Sequence, residues 1–363
     1  MPRCAASRPA LAAVLAATLL AGCIGTTPPP ATVDPPRSDP AIVVQEPLPT
    51  RAVDFTVLAA TRDAIWASFD GPGAMQGDRL SLDGGLTWNP GIDKWSIGSA
   101  SGSDGRFGYA ATNDELPIPY VMNPDDPTAA KALRWRDDGS RYLAVGVGAA
   151  LSSNGKLTTP TSRRTVTFPT LPAAATKPKH TYAFTGDAAF ALRITRTTGA
   201  HDYVAMVDVR TGKKAGVLTL PRTSVHRVGG SNVYSLFADG QGLALYRQPL
   251  PSGRPSCQPV ATGDHRGTHP RLYQFGALSV IHDPLSLHPL LVEDGRVTPV
   301  VLPAGTTSWR GEGSGDPTRP LLRTVDAAGE PHHVRVADDG STAEWVTLAR
   351  SPQTPFSLAI THT

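Results

Sequence analysis

Asp83 stands in the stretch SLDGGLTWNP, residues 81–90, with a hydroxyl two positions before it at Ser81 and another four positions after it at Thr87. A carboxylate flanked by two hydroxyls could move protons, and it could equally accept hydrogen bonds from the backbone amides of a tight turn. The Gly84-Gly85 pair favours the turn, because glycine adopts positive φ at no steric cost. Leu80 and Leu82 alternate into the turn, while Leu86 and Trp88 alternate out of it, which is the pattern of a β-hairpin. Thr87 can add a hydroxyl bond and Trp88 an apolar anchor. The chemistry of Ser81, Asp83, Gly85, Thr87 and Trp88 is then used up in fixing a turn, and no catalytic residue is expected from it.

The histidines raise a second chemistry. Asp264, His265 and His269 lie in GDHRGTHP, and His332 and His333 are adjacent. A zinc site needs three or four convergent ligands, and an irregular Gly/Pro loop does not aim His265 and His269 at one point. Solvent-exposed loop histidines are expected, with no metal and no cofactor. The chain has no glycine-rich phosphate loop, no Gly-x-Ser-x-Gly elbow and no Cys-x-x-Cys pair, so nucleotide, α/β-hydrolase and thiol-redox chemistry lack support. Cys257, in PSGRPSCQPV, reads as a bystander thiol in a proline-broken turn with no partner left inside the chain. A formal net charge of +3 over 363 residues is no footprint for nucleic acid.

The other two cysteines belong to the beginning of the chain. Arg3 and Arg8 precede an apolar run over residues 10–20, which is followed by Leu20-Ala21-Gly22-Cys23. This is the three-part pattern of an export signal, too short to cross a bilayer, which takes about 20 apolar residues. Leu-Ala-Gly-Cys resembles the bacterial lipobox. The resemblance implies that residues 1–22 are a lipoprotein signal peptide, which carries Cys4 away, and that the Cys23 thiol becomes a thioether to diacylglycerol. The protein is then anchored by lipid, palmitate included, to a membrane on its extracytoplasmic side, without a spanning helix. Residues 24–50 contain eight prolines in 27 positions, so residues 23–52 are expected to form a lipidated cysteine and semi-extended tether.

From residue 53 to residue 363 the apolar residues alternate in short runs bounded by Gly, Asp, Asn and Pro, with no sustained helical spacing. The expected class is all-β. Turns between a first and a second strand recur at Arg62, Gly105, Gly146, Gly186, Gly230 and Gly276, with a looser one near Asp316; the first five steps are 43, 41, 40, 44 and 46 residues. A period in the low forties with about four strands is the size of a β-propeller blade. Gly212 before VLTLP, Gly295 before VVLP and Gly340 before WVTLA mark a second recurring position. The spacing predicts one propeller of seven blades of four antiparallel strands, with six as the alternative because residues 117–169 are irregular. The C-terminal SLAITHT is expected to close the ring beside the strand that begins near Val53.

In this setting SLDGGLTW resembles the Asp-box, or BNR repeat, of sialidase-like propellers, with Ser81, Asp83, Gly85, Thr87 and Trp88 all matching. Degenerate copies retain Asp137, Gly139 and Tyr142, and Asp338 and Gly340. In that family the box lies on the outer edge of a blade, away from the axis. Sialidase activity itself is not expected: that family uses three arginines, one of them usually in an Arg-Ile-Pro motif, with a Tyr nucleophile paired to a Glu and a separate acid, whereas the nearest stretch here is Arg193-Ile194-Thr195, and the chain has only six glutamates. The functional expectation is a membrane-anchored extracytoplasmic module that binds or scaffolds a protein or glycan partner, with no nucleic acid involved. The alternative is an envelope glycan- or lactone-directed hydrolase or lyase with an axial active site.

Overall fold

The computed structural model describes the strands between residues 55 and 132, residues 142–345 apart from 147, 160, 224, 277, 314–319 and 338–341, and residues 359–362. The described residues are all strand, turn and coil, in seven sheets. The first sheet holds β1 (Phe55–Ala60), β2 (Ile65–Asp70), β3 (Gln76–Ser81) and β4 (Asn89–Pro90). The second holds β5 (Gly102–Ser103), β6 (Gly108–Ala111), β7 (Pro119–Met122) and β8 (Ala129–Ala132). The third holds β9 (Tyr142–Gly146), β10 (Ala149–Ser152), β11 (Lys156–Thr158) and β12 (Arg163–Thr165). The fourth holds β13 (Lys179–Phe184), β14 (Phe190–Arg196), β15 (His201–Asp208) and β16 (Lys214–Pro221). The fifth holds β17 (Val225–Gly229), β18 (Asn232–Ala238), β19 (Gly242–Pro249) and β20 (Ser256–Thr262). The sixth holds β21 (Arg271–Phe275), β22 (Leu278–His282), β23 (Leu290–Glu293) and β24 (Arg296–Pro299). The seventh holds β25 (Thr306–Gly313), β26 (Leu321–Asp326), β27 (Pro331–Val336) and β28 (Ala343–Trp345).

Each sheet is an antiparallel meander in sequence order. The expected turns fall where the repeat put them: Gly186, Gly230 and Gly276 follow the first strands of the fourth, fifth and sixth sheets, and Gly146 ends the first strand of the third. First strands of successive sheets lie against one another, β9 on β13, β17 on β21 and β21 on β25, and β1 touches both β25 and the second sheet. The fourth and fifth sheets are tied by the Gly186 amide, which donates to the Gly230 carbonyl at 2.9 Å. First strands therefore form an inner circle, and contact between β1 and β25 brings the two ends of the series together. This is a β-propeller.

The sheets pack face to face, which explains why the middle strands do not alternate. In β15, Asp202 to Val207 are all buried, because a sheet covered on both sides has no solvent face. One apolar cluster joins Leu151 and Leu157 to Ala191 and Val207 across the third and fourth sheets. A second joins Leu192, Val204 and Met206 to Val233 and Leu250. A third joins Leu236 and Leu243 to Leu272 and Ile281, and a fourth joins Phe275 and Val280 to Trp309 and Leu322.

Near the axis the inner strands come so close that some positions admit only glycine. A Cβ at Gly311 would lie 2.5 Å from Tyr273 Cγ, and one at Gly146 would lie 2.8 Å from Phe184 Cβ.

Two expectations are corrected. β29 (Ala359–His362) pairs parallel with β8, Ala359 opposite Ala129, at the outer edge of the second sheet. It does not lie beside β1, whose strand partner is β2. A parallel fifth strand covers an edge that the short β8 would leave open, and edge coverage was the need that the terminal strand was expected to meet elsewhere. Cys257 is disulfide-bonded, so it is not a bystander thiol; its partner lies outside the described residues.

Candidate functional site

Of the opening motif, the structure describes only the strand residues at its two ends. β3 ends at Ser81, β4 begins at Asn89, and the two strands pair antiparallel. Asp83, Gly85, Thr87 and Trp88 lie outside the described residues, as do Cys23, Asp137, Gly139, Asp338 and Gly340. The corresponding turn of the fourth sheet shows how a carboxylate works there. Asp208 Oδ1 accepts from the Thr211 amide at 2.7 Å and the Thr211 hydroxyl at 2.8 Å, and these bonds hold the Asp208 carboxyl below its usual range. Gly212 follows with φ 71°. A short acid, a hydroxyl and a positive-φ glycine make the turn without any chemistry left over.

A further constellation joins two sheets. Asp202, near the start of β15, is fully buried. Its Oδ1 accepts from the Thr197 amide at 2.8 Å, and its Oδ2 accepts from the Thr223 amide at 3.2 Å. His226 of β17 meets Oδ2 through Nε2 at 2.8 Å, and its Nδ1 lies 2.8 Å from Ser235 Oγ on β18. Burial alone would raise the Asp202 pKa, but the His226 hydrogen bond and the two amides outweigh it and lower the value. Serine, histidine and aspartate in a row have the connectivity of a nucleophile relay. Ser235 and Asp202 have no exposed surface and His226 almost none, so no substrate carbonyl can approach the hydroxyl. The row acts as a polar lock between the fourth and fifth sheets.

Other acid–histidine pairs have the same character. His265, expected on a solvent-exposed loop, is 1% exposed. Its Nε2 lies 2.9 Å from Asp283 Oδ1 and its Nδ1 lies 3.1 Å from the Gly263 carbonyl. The ring ties the loop entering the sixth sheet to the turn after β22, and satisfying two acceptors is what keeps it inside. Asp264 instead pairs with Arg266 at 2.6 Å on the surface, and His269 is exposed, as expected. His332 meets Asp326 at 2.9 Å across the turn of one hairpin, while His333 is buried. The structure therefore does not bring Asp264, His265 and His269 together, and among the described residues no group of three His, Cys, Asp or Glu is placed to hold a metal ion.

Arg193 is also used structurally. It donates to the Pro169 carbonyl at 2.7 Å and stacks 5.3 Å from the Phe168 ring centre, while Ile194 and Thr195 beside it are buried. Between the sixth and seventh sheets, His282 and Trp309 have ring centres 5.1 Å apart, and His282 Nδ1 and Trp309 Nε1 are sealed from solvent without hydrogen-bond partners. We have no physical account of that pair of orphans.

Sequence reasoning missed the Asp202–His226–Ser235 row because its members belong to two repeats. The only trace is polarity in the wrong place: Asp202 stands in front of an apolar run in HDYVAMVDV, and His226 lies between two valine strand positions in VHRVGG.

No protein-family model and no curated protein matches the chain. Solved structures do. In a structural study of two prolyl endopeptidases, one chain superposes with a TM-score of 0.51 at 16% identity, over 84% of this chain and 50% of that one. The Cps50 (Swd1) β-propeller domain of Myceliophteria thermophila gives 0.46 at 13% identity, over 81% and 99%. Prolyl oligopeptidase B of Galerina marginata gives 0.47 at 10% identity, over 83% and 52%. The chain thus spans about half the length of the peptidases it resembles, and at these identities the likeness concerns the fold.

Proposed function

We propose that the protein is a lipid-anchored, extracytoplasmic propeller of seven blades that binds or scaffolds a protein or glycan partner of the cell envelope and does not turn over a substrate. The observation that carries this reading is how the titratable groups of the described sheets are used. Asp202 with His226, His265 with Asp283 and Asp326 with His332 are each spent on holding strands or turns, whereas an axial active site would gather such groups at one solvent-facing point. Capture from envelope extract with the full chain as bait tests the reading directly. A stoichiometric partner that survives stringent washing is the expected result. Turnover of an envelope sugar or lactone by the purified chain, with no partner captured, would replace the binder with a hydrolase.

The anchor rests on Leu20-Ala21-Gly22-Cys23, and Cys257 sharpens its test. The sequence offers Cys257 only Cys4 and Cys23 as partners. The disulfide of the full-length chain engages one of them, whereas lipoprotein maturation would leave neither as an intrachain partner, because Cys4 would depart with the signal peptide and a sulfur in a thioether to lipid cannot also form a disulfide. Cys23→Ala is expected to leave an unprocessed or soluble form that no longer partitions with membranes. Mass spectrometry of the mature chain should find diacylglycerol on Cys23 and no Cys23–Cys257 disulfide. A Cys23→Ala chain of unchanged size in the membrane fraction, or a Cys23–Cys257 disulfide in the mature protein, would sink the lipoprotein reading.

A further inference from the structure

Among the described residues three large apolar side chains stand exposed, Leu285 at 59%, Leu287 at 43% and Val301 at 55%. Scattered singly, such residues need no explanation, but these three converge on one blade. Leu285 and Leu287 lie in the loop 283–289, between β22 and β23. Val301 follows Val300, whose amide donates to the Pro289 carbonyl at 2.8 Å, so it emerges beside the end of the same loop.

The loop differs from its counterparts. Three or four small, polar or charged residues join the second strand to the third in the third, fourth, fifth and seventh sheets, over 153–155, 197–200, 239–241 and 327–330; in the sixth sheet the seven residues DPLSLHP do so. The longer loop is also braced. The Ser286 amide donates to the Asp283 carbonyl at 3.0 Å, the Leu285 amide to Asp283 Oδ1 at 2.9 Å and the His288 amide to Ser286 Oγ at 3.1 Å. His265 meets the same Asp283 carboxylate at 2.9 Å, and Pro284 and Pro289 restrict the backbone on either side. The leucines are therefore held out by a fixed turn and cannot simply fold back.

Contacts between sheets show which face displays them. The Gly186 amide, after β13, donates to the Gly230 carbonyl, after β17, and Gly229 at the end of β17 abuts Gly276, after β21. First strands thus run side by side in one direction, and every meander starts from the same face. Arg271, first in β21, stands opposite His282, last in β22, while β1 starts at Phe55, opposite Phe69 near the end of β2. The loop 283–289 and the entry of the chain into the ring at Phe55 therefore share that face. The acids beside the loop are matched, Asp283 by His265 and Asp264 by Arg266, and Arg271 adds an exposed positive charge.

We propose that this loop docks the propeller on a lipid bilayer, with Leu285, Leu287 and Val301 entering the boundary between headgroups and acyl chains and Arg271 facing anionic headgroups. The inference rests on the lipid-anchor reading above and adds an orientation to it, because the segment that carries Cys23 joins the ring at the docking face. Three apolar tips are too few for the core of a stable protein interface, which buries about 800 Å² per partner. A bilayer accepts isolated apolar tips on a polar surface without shape complementarity, and exposed arginine favours anionic lipid. Such docking is weak alone and becomes effective when an anchor keeps the loop close to the surface.

The test is fluorescence of the full chain on vesicles of phosphatidylcholine and phosphatidylglycerol with brominated acyl chains, which quench an indole only at the depth of the lipid. Emission added by Leu287→Trp, relative to wild type, is expected to be quenched. Emission added by Lys213→Trp, in the turn between β15 and β16 at the opposite face, is expected to survive. Adding Leu285→Ser to the Leu287→Trp chain should restore the lost emission, and removing phosphatidylglycerol should reduce the quenching. These positions are exposed, so the variants should melt like wild type. No quenching at Leu287→Trp, or equal quenching at Lys213→Trp, would overturn the docking. Loss of a captured envelope protein on Leu285→Ser with Leu287→Ser, without quenching, would overturn it in favour of a protein partner. Quenching by chains whose Cys23 carries no lipid would sink the anchor and leave the docking face standing; lipid on Cys23 without quenching would sink the docking alone.

Discussion

Asp202→Ala lowers the stability of the folded chain by about 3 kcal/mol or more, because several buried hydrogen-bonding groups lose the one acceptor they share. The size follows from what the alanine abandons: His226 Nε2 and the amides of Thr197 and Thr223 all lose the carboxylate they share. Each buried group left unmade costs about 1–3 kcal/mol. His226→Ala is expected to be destructive for the same reason, and the double variant should cost much less than the sum, because the pair fails as a unit. The lock also carries a pH signature. The folded-state pKa of Asp202 is lowered, so its contribution is fully present above the ordinary aspartate pKa of about 4 and is lost as pH falls through that value toward the folded one. Urea melts at neutral pH and at about pH 3 should therefore show the gap between wild type and Asp202→Ala closing on the acid side. A neutral-pH loss below about 1 kcal/mol would mean that water replaces the carboxylate and that the row is no lock.

The second large effect is expected from a methyl group. A Cβ at Gly229 would overlap the Gly276 carbonyl oxygen and lie 2.5 Å from Gln274 Cγ. The carbonyl belongs to the next sheet and cannot rotate away as a side-chain tip would, so Gly229→Ala must push the fifth and sixth sheets apart at the inner circle. That places it at about 3 kcal/mol, the upper part of the usual overpacking range. Gly230→Ala, one residue on, is the control. Its φ is 53° and nothing lies near its added Cβ, so it pays only the left-handed backbone strain of about 1–2 kcal/mol. If denaturant melts rank the two variants the other way, the sheets are not in contact at Gly229 as described.

These two positions also show what could be read in the sequence and what could not. Gly186, Gly230 and Gly276 signalled the turns correctly because a turn is a local event: positive φ, a polar neighbour and flanking alternation all fall within a few residues. The low-forties spacing of such turns therefore carried the propeller, and even the irregular stretch over residues 117–169 resolved into strands of the second and third sheets. Gly229 looked like part of the same turn, yet its importance comes from a carbonyl far away in the chain, which no local pattern reports. The same holds for Asp202 and His226. His265 was misjudged for a related reason: Gly263 and Gly267 around it suggested an exposed loop, while the acceptor that draws it inside, Asp283, belongs to another turn.

The parallel pairing of β29 with β8 has a consequence in time. The strand that covers the second sheet, β29, lies more than two hundred residues beyond its partner β8 in the chain, and contact between β1 and β25 joins segments just as remote. Assembly must close loops spanning most of the polypeptide before those contacts reward the lost chain entropy. Until those distant contacts form, the outer edge of β8 remains available to any other strand nearby. Folding intermediates in which residues 359–362 have not yet docked should therefore associate through that edge far more readily than the finished fold's stability would suggest.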